Sequence, residues 1–400
     1  MNDNCIAAVK VNQDLCSRCK VCYSTCPFEA IRQRPDDGRI EIDIQKCQVC
    51  GICYSACPVS AIEMAYYDHA GLLEHVRAAC SGAETLVMMC RGNSPSSGEV
   101  EDILADHGLD VKGYVPMRVP CAGRVPTDLI FNALASGIRN IVSIQCQDGF
   151  CRMKEGTRIE TRRLLLSKAV LRQLGYPEDA VQVVKYSRKA VWTGHECVGC
   201  DKCVFVCSYG AIEAGAISSP RIDPGKCVGC GACQVVCPHN AIQVKGYEFY
   251  SVLCSYEEAA ERMRKTGRPS VLVFSCQWSE FTALDDPEGV LGGRNAMLLE
   301  VPCFKGLDPV HVLTALQSGF DGVMGVVCAP EDCKLKNGRD AAERQLEVLL
   351  IALKRLGLSE RFELHELSPR CKGEFAQAFD AFYARVSAMP RGGACRREGD

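Results

Sequence analysis

Two stretches of the chain repeat one order of apolar and polar positions. From Thr85 the order is TLVMMC, YVPMRVPC, VPTDLIFNALASG, IRNIVSIQC and TRIETRRLLLSKAVLRQLG. From Ser270 it is SVLVFSC, AMLLEVPC, DPVHVLTALQSG, FDGVMGVVC and RDAAERQLEVLLIALKRLG. Short continuous Val/Ile/Leu/Met runs alternating with longer amphipathic stretches predict buried parallel strands joined by crossover helices. Gly137, Gly175, Gly319 and Gly357 fall where helix C-caps belong. Residues 66–83 and 247–268 predict connecting helices.

The segments before each of these stretches are organised by cysteine instead. The chain has 29 cysteines among 400 residues, and eight lie in each of two segments. The first reads CSRCKVCYSTCPFEAI and then CQVCGICYSACPVSAI; the second reads CVGCDKCVFVCSYGAI and then CVGCGACQVVCPHNAI. Each run is C-x-x-C-x-x-C-x-x-x-C followed by Ala-Ile: Ala30-Ile31, Ala61-Ile62, Ala211-Ile212 and Ala241-Ile242. These pairs are expected to close over a cofactor and start a strand. Three runs continue with Pro27, Pro58 or Pro238, whereas Cys207 is followed by Ser208, which restores a backbone donor that could sit near a sulfur. Zinc ribbons also use C-x-x-C, but as pairs of pairs, without a third cysteine at the next step.

This spacing is similar to that of bacterial two-cluster ferredoxins, in which the first three cysteines of a run hold one 4Fe-4S cube and the fourth reaches the other. Thiolate is the soft ligand such clusters select. The resemblance implies four cubes. Cys16, Cys19, Cys22 and Cys57 would hold one, and Cys47, Cys50, Cys53 and Cys26 a second. Cys197, Cys200, Cys203 and Cys237 would hold a third, and Cys227, Cys230, Cys233 and Cys207 a fourth.

The predicted strands end in cysteine as well: Cys90, Cys121 and Cys146 in one stretch, Cys276, Cys303 and Cys328 in the other. Cys151 and Cys333 follow the third cysteine of each. Ligands of open parallel sheets bind beyond the carboxyl ends of the strands, so four cysteines per stretch are expected to converge on a metal–sulfur site. The alternative is that they are small buried apolar residues. Cys5, Cys80, Cys254, Cys371 and Cys395 have no partner spacing and default to buried or free thiols.

These stretches resemble the delta subunit of methyl-viologen-reducing hydrogenases, through PCAGR and PCFKG (Cys121, Cys303) and through C-x-x-x-x-C followed by glycine (Cys146, Cys151, Gly156; Cys328, Cys333, Gly338). The resemblance implies a small α/β domain with one 2Fe-2S cluster on four cysteines, two such clusters in all. The fold class is then α+β ferredoxin modules and α/β open parallel-sheet modules, alternating in a duplicated multidomain chain. The expected boundaries are 1–68 and 190–248 for the two-cluster ferredoxin domains, 80–188 and 268–389 for the delta-like domains, and 390–400 for a disordered tail.

Composition narrows the function. There are 46 basic and 49 acidic residues and a net charge of -3, with no like-charge block to suggest a nucleic-acid or membrane surface. No secretory pattern opens the chain and no apolar run is long enough to span a membrane, so a reduced, cytoplasmic setting is expected for the thiols. No G-x-G-x-x-G follows a strand, and Gly289 to Gly293 precedes one. His195, near Cys197, reads as a solvated loop histidine. With no bond-making machinery, a non-catalytic electron-transfer subunit of an oxidoreductase complex is expected. By resemblance its partners would be a flavin-containing heterodisulfide-reductase-like subunit and a hydrogenase, formate dehydrogenase or other catalytic subunit. The alternative is an iron–sulfur redox sensor or cluster scaffold without electron relay.

Overall fold

The computed structural model describes residues 5–79, 82–109, 113–194, 196–215, 219–280, 289 and 291–390. His195, Cys80, Cys395 and the expected tail beyond Pro390 lie outside them. The chain divides into two units, residues 1–187 and 188–400.

The first unit opens with short strands. β1 (Val9–Val11) pairs antiparallel with β4 (Ile62–Met64), and β2 (Ile31–Gln33) with β3 (Ile40–Ile42). Between them sit two five-residue helices, α1 (Val21–Thr25) and α2 (Ile52–Ala56). Helices this short do not persist on their own. Their packing on each other and the buried Ala30-Ile31 and Ala61-Ile62 pairs hold them. Helix α3 (His69–Ala79) leads to a parallel sheet of β5 (Thr85–Cys90), β6 (Tyr114–Val119), β7 (Asn140–Cys146) and β8 (Val181–Tyr186), in the order β6-β5-β7-β8. Its crossovers are α4 (Ser97–Asp106), α5 (Thr127–Ala135) and α6 (Gly156–Gln173).

The second unit begins with β9 (Ala190–Trp192) paired to β12 (Ile242–Val244) and β10 (Ile212–Glu213) paired to β11 (Arg221–Ile222), enclosing α7 (Lys202–Val206) and α8 (Ala232–Val235). Helix α9 (Phe249–Arg264) precedes a second parallel sheet: β13 (Val271–Cys276), β14 (Ala296–Val301), β15 (Gly322–Cys328) and β16 (Phe362–Leu367), in the order β14-β13-β15-β16. Three more helices are α10 (Pro309–Gln317), α11 (Gly338–Arg355) and α12 (Glu374–Ala388). Phe375, Phe379 and Phe382 of α12 pack on Val271, Val273, Met324 and Val326 of the sheet. Each such aromatic contributes about 2–3 kcal/mol on burial.

Parallel pairing and crossover helices agree with the sequence pattern, and Gly137, Gly175, Gly319 and Gly357 take the positive φ of helix C-caps. Two differences stand out. The central strands are buried, apart from Asn140 at the start of β7, while edge strands β6 and β14 are part-exposed. Strands β8 and β16 and helices α4 and α12 add to the predicted set. Among the five remaining cysteines, Cys254 is an exposed free thiol. Cys5 and Cys371 are each disulfide-bonded, which corrects the expectation of buried or free thiols for them; no local spacing marks such a bond.

Candidate metal centres

Each C-x-x-C-x-x-C loop bends by the same backbone device. The second residue after the first cysteine and the residue after the second cysteine take left-handed φ. The pairs are Arg18 and Lys20, Val49 and Gly51, Gly199 and Asp201, and Gly229 and Gly231. Alternating hands turn successive N–H groups to one side and form a concave seat for an anion. Val49, β-branched, is costly in that region, on the order of 1–3 kcal/mol. Its amide donates to Cys47 Sγ at 3.4 Å.

The Ala-Ile pairs have a second role besides packing. The alanine N–H donates to the fourth cysteine's sulfur in every run: Ala30 to Cys26 at 3.4 Å, Ala61 to Cys57 at 3.2 Å, Ala211 to Cys207 at 3.3 Å, and Ala241 to Cys237 at 3.3 Å. The donor on Cys207 is therefore the one found in the other runs, and Ser208 does not supply it.

Two cavities each bring together sulfurs from two different runs. One cavity is lined by Cys26, Cys47, Cys50 and Cys53, and another by Cys197, Cys200, Cys203 and Cys237; neither includes a fifth cysteine. Burial pushes the Cys22 thiol up, and the charges that add to this are those of Cys57, Cys16 and Cys19. Burial likewise pushes Cys233 up, and the charges of Cys230, Cys227, Cys207 and Cys203 add to this. Cys50 is pushed up to about 12, again by burial first. Four thiolates crowded into such a space require a cationic core to stay ionised, and these donors fit an iron–sulfur cube. Among the described residues, no three His, Cys, Asp or Glu side chains are arranged to share a single metal ion. Cys19 and Cys200 face solvent, whereas Cys50 and Cys233 are buried.

The strand-end cysteines also converge. Cys90 and Cys146 end the adjacent strands β5 and β7, and Cys121 follows β6. Cys90 and Cys146 pack together with Ala122, with Cys151 against them. Burial pushes Cys121 well up, with Cys90, Cys50 and Cys151 as its charged neighbours. The Ala122 amide donates to Cys90 Sγ at 3.1 Å. In the second unit Cys328 hydrogen-bonds Cys276 and Cys333, and Cys303 has Cys328 and Cys333 beside it. Burial pushes Cys303 up to about 12. The glycines of the two motifs open α6 and α11, where a Cβ on Gly156 would meet the sulfurs of Cys121 and Cys151, and one on Gly338 those of Cys333 and Cys303.

The family model of the methyl-viologen-reducing hydrogenase, delta subunit, matches residues 99–197 and 271–390, more than half of the chain. The chain belongs to this family. Models of a 4Fe-4S dicluster domain match residues 8–58 and 196–245, which contain all sixteen cysteines of the four runs. The first delta-subunit match begins after β5 and leaves Cys90 outside, whereas the second contains all four strand-end cysteines. A subunit of the ferredoxin:CoB-CoM heterodisulfide reductase of Methanosarcina mazei is 32% identical over 168 residues, 42% of this chain and 21% of that protein. The chain thus spans about a fifth of the heterodisulfide reductase relatives it matches. The iron-sulfur subunit of the F420-non-reducing hydrogenase vhc of Methanococcus voltae is 29% identical over 133 residues, 32% of this chain and 90% of that protein. An F420-non-reducing hydrogenase iron-sulfur subunit of Archaeoglobus profundus is 28% identical over 130 residues, 32% of this chain and 95% of that protein.

No local pattern marks the residues that join the ferredoxin loops to the delta-subunit stretches. In the first unit Arg163 Nη1 donates to Ser55 Oγ at 2.7 Å and to the Gly123 carbonyl at 2.8 Å. Arg124 is fully buried against Gly51. Its charge favours the thiolates of both Cys50 and Cys121. In the second unit Gly231 meets Gly306 backbone to backbone. Lys305, also buried, donates to the Lys336 carbonyl at 3.1 Å. Arg124 lies within the PCAGR motif, which displays the residue type but not what it faces.

Among the described residues, no helix is long and apolar enough to cross a membrane.

Proposed function

We propose that this chain is an electron-relay subunit built by internal duplication, each half a two-cluster ferredoxin domain followed by a delta-subunit domain. The domain bounds are those expected above. The observation that carries this reading is the pair of cavities, each lined by four cysteines drawn from two different runs and by no others. Four 4Fe-4S clusters would be held by Cys16, Cys19, Cys22 and Cys57; Cys26, Cys47, Cys50 and Cys53; Cys197, Cys200, Cys203 and Cys237; and Cys207, Cys227, Cys230 and Cys233. Two 2Fe-2S clusters would be held by Cys90, Cys121, Cys146 and Cys151, and by Cys276, Cys303, Cys328 and Cys333. Such clusters supply one-electron steps over a wide range of potential.

The chain's own residues supply the setting. The alanine amides stabilise negative charge on sulfur, which raises potential. Buried isoleucines keep water from the sulfurs. Solvent-facing Cys19 and Cys200 would mark where electrons enter or leave each ferredoxin domain, and the deeper sets on Cys50 and Cys233 would lead toward the strand-end sites. The absence of exposed like-charge blocks suits a subunit held in a stable complex, where transfer between modules is intramolecular. The similarity to a heterodisulfide reductase subunit and to hydrogenase iron-sulfur subunits supports a flavin-containing reductase subunit and a hydrogenase, formate dehydrogenase or other catalytic subunit as partners, in a cytoplasmic complex.

Native anaerobic purification tests this. About 20 iron atoms per chain, cubane and 2Fe-2S EPR signals, and a co-eluting flavoprotein are expected. An iron-free chain, or one with labile clusters and no flavoprotein partner, would overturn the relay.

A further inference from the structure

Arg124 lies three residues after Cys121, on the turn beyond β6. Its Nη2 donates to the Tyr66 carbonyl at 2.7 Å and lies 3.0 Å from Met64 Sδ. Nε and Nη1 have no hydrogen-bond partner, and among the described residues no carboxylate pairs with the group. A guanidinium keeps its proton at any pH the fold survives. A full positive charge is therefore buried with two donor atoms idle, which is strongly unfavourable unless an anion answers it.

The surroundings show where that anion belongs. A Cβ on Gly51 would stand 2.7 Å from Arg124 Nε and 3.0 Å from its Cζ, and Gly51 directly follows Cys50. Cys121 begins the turn that carries Arg124. The Tyr67 ring has Arg124 at 5.4 Å and Arg91, the residue after Cys90, at 5.5 Å. The idle donors thus lie between two sets of four cysteines.

We propose that Arg124 is the shared counter-charge of the two iron–sulfur centres of the first unit, holding the reduction potentials of both upward. One centre is the set Cys26, Cys47, Cys50 and Cys53; the other is Cys90, Cys121, Cys146 and Cys151. The proposal rests on the cluster assignment made above. A thiolate-ligated cluster is anionic and gains one more negative charge on reduction, so a buried cation beside it favours the reduced form, and more so where water is excluded. In the second unit the buried cation beside the strand-end cysteines is Lys305, whose charge favours the Cys303 thiolate. Gly306 occupies the place of Arg124, three residues after Cys303, and a Cβ on Gly231 would meet the Gly306 Cα at 2.7 Å, leaving no room for a guanidinium.

The test uses the full chain purified without oxygen, as wild type, Arg124→Gln and Arg124→Lys, with iron quantified and potentials read by EPR during titration with dithionite. Cys121→Ser identifies which 2Fe-2S signal belongs to the first unit. Arg124→Gln should keep its iron and make one cubane and that 2Fe-2S centre about tenfold harder to reduce, about 59 mV for a one-electron couple, while Arg124→Lys stays near wild type. An iron-replete Arg124→Gln with unshifted potentials overturns the proposal, as does a lysine variant shifted as far as the glutamine one. If Arg124→Gln loses iron, retention by Arg124→Lys supports the proposal and loss from both overturns it. A wild-type chain without cluster signals would defeat the cluster assignment itself, before any variant is compared.

Discussion

A Cβ on Gly156 would stand 2.1 Å from the sulfur of Cys121, so the first residue of α6 and the cysteine beyond β6 can adjoin only because one of them has no side chain. The corresponding contacts of Gly338 are looser, at 2.9 Å to Cys333 Sγ and 3.2 Å to Cys303 Sγ. Gly156→Ala should therefore abolish the first unit's strand-end EPR signal and leave the cubane signals. Gly338→Ala should only broaden or shift its counterpart. Equal effects of the two substitutions would contradict this ranking.

Cross-ligation makes a prediction that a within-run arrangement does not. Cys237→Ser should strip or convert the centre on Cys197, Cys200 and Cys203 while leaving Cys227, Cys230 and Cys233 protected. Alkylation of the folded protein, mapped by mass spectrometry, distinguishes the two. Labelling at Cys200 rather than Cys227 is expected; the reverse pattern would show that each run serves itself.

Glu160 on α6 is completely buried, and burial raises its pKa to about 8. Its Oε2 has no hydrogen-bond partner, as suits a neutral carboxyl. The folded pKa lies above the unfolded one, so the folded state binds more protons between them. Stability is full below about pH 4.5 and declines as pH rises through about 8, by on the order of 4–5 kcal/mol. Glu160→Gln should remove this slope and raise urea resistance above pH 8. Unfolding curves of the first unit at pH 6 and 9 check it, and a slope that persists in the variant would rule it out.

Arg163 fastens the ferredoxin loop to the first sheet through Ser55 and the Gly123 and Val125 carbonyls. Charged hydrogen bonds of this kind contribute about 1.5–3 kcal/mol. Arg163→Ala should lower the urea midpoint of the first unit and expose residues 66–79 to limited proteolysis, with the second unit's cleavage pattern unchanged.

The elements that were legible along the chain are those with a local cause. Cysteine spacing reports which sulfurs can reach one cube, because a tight loop sets their separation. The apolar runs of β5, β7, β13 and β15 are continuous because both faces are covered. Strand β8, VQVVKY, mixes polar residues into an edge position and lacks that signal. Helix α4 carried a readable one: Ser96 and Glu99 form a capping box in which the Glu99 amide donates to Ser96 Oγ and the Ser96 amide to Glu99. Helix α12 is defined by the phenylalanines that pack on the second sheet, a contact with strands far earlier in the chain.

The cysteine spacing and the continuous apolar runs of the buried strands were determined by the sequence alone, since each follows from neighbours a few residues apart. Which cation faces which sulfur was decided only by tertiary structure. Arg124 and Gly51 are distant in sequence, and the burial that makes the guanidinium's charge matter arises only when a ferredoxin loop closes on a sheet edge.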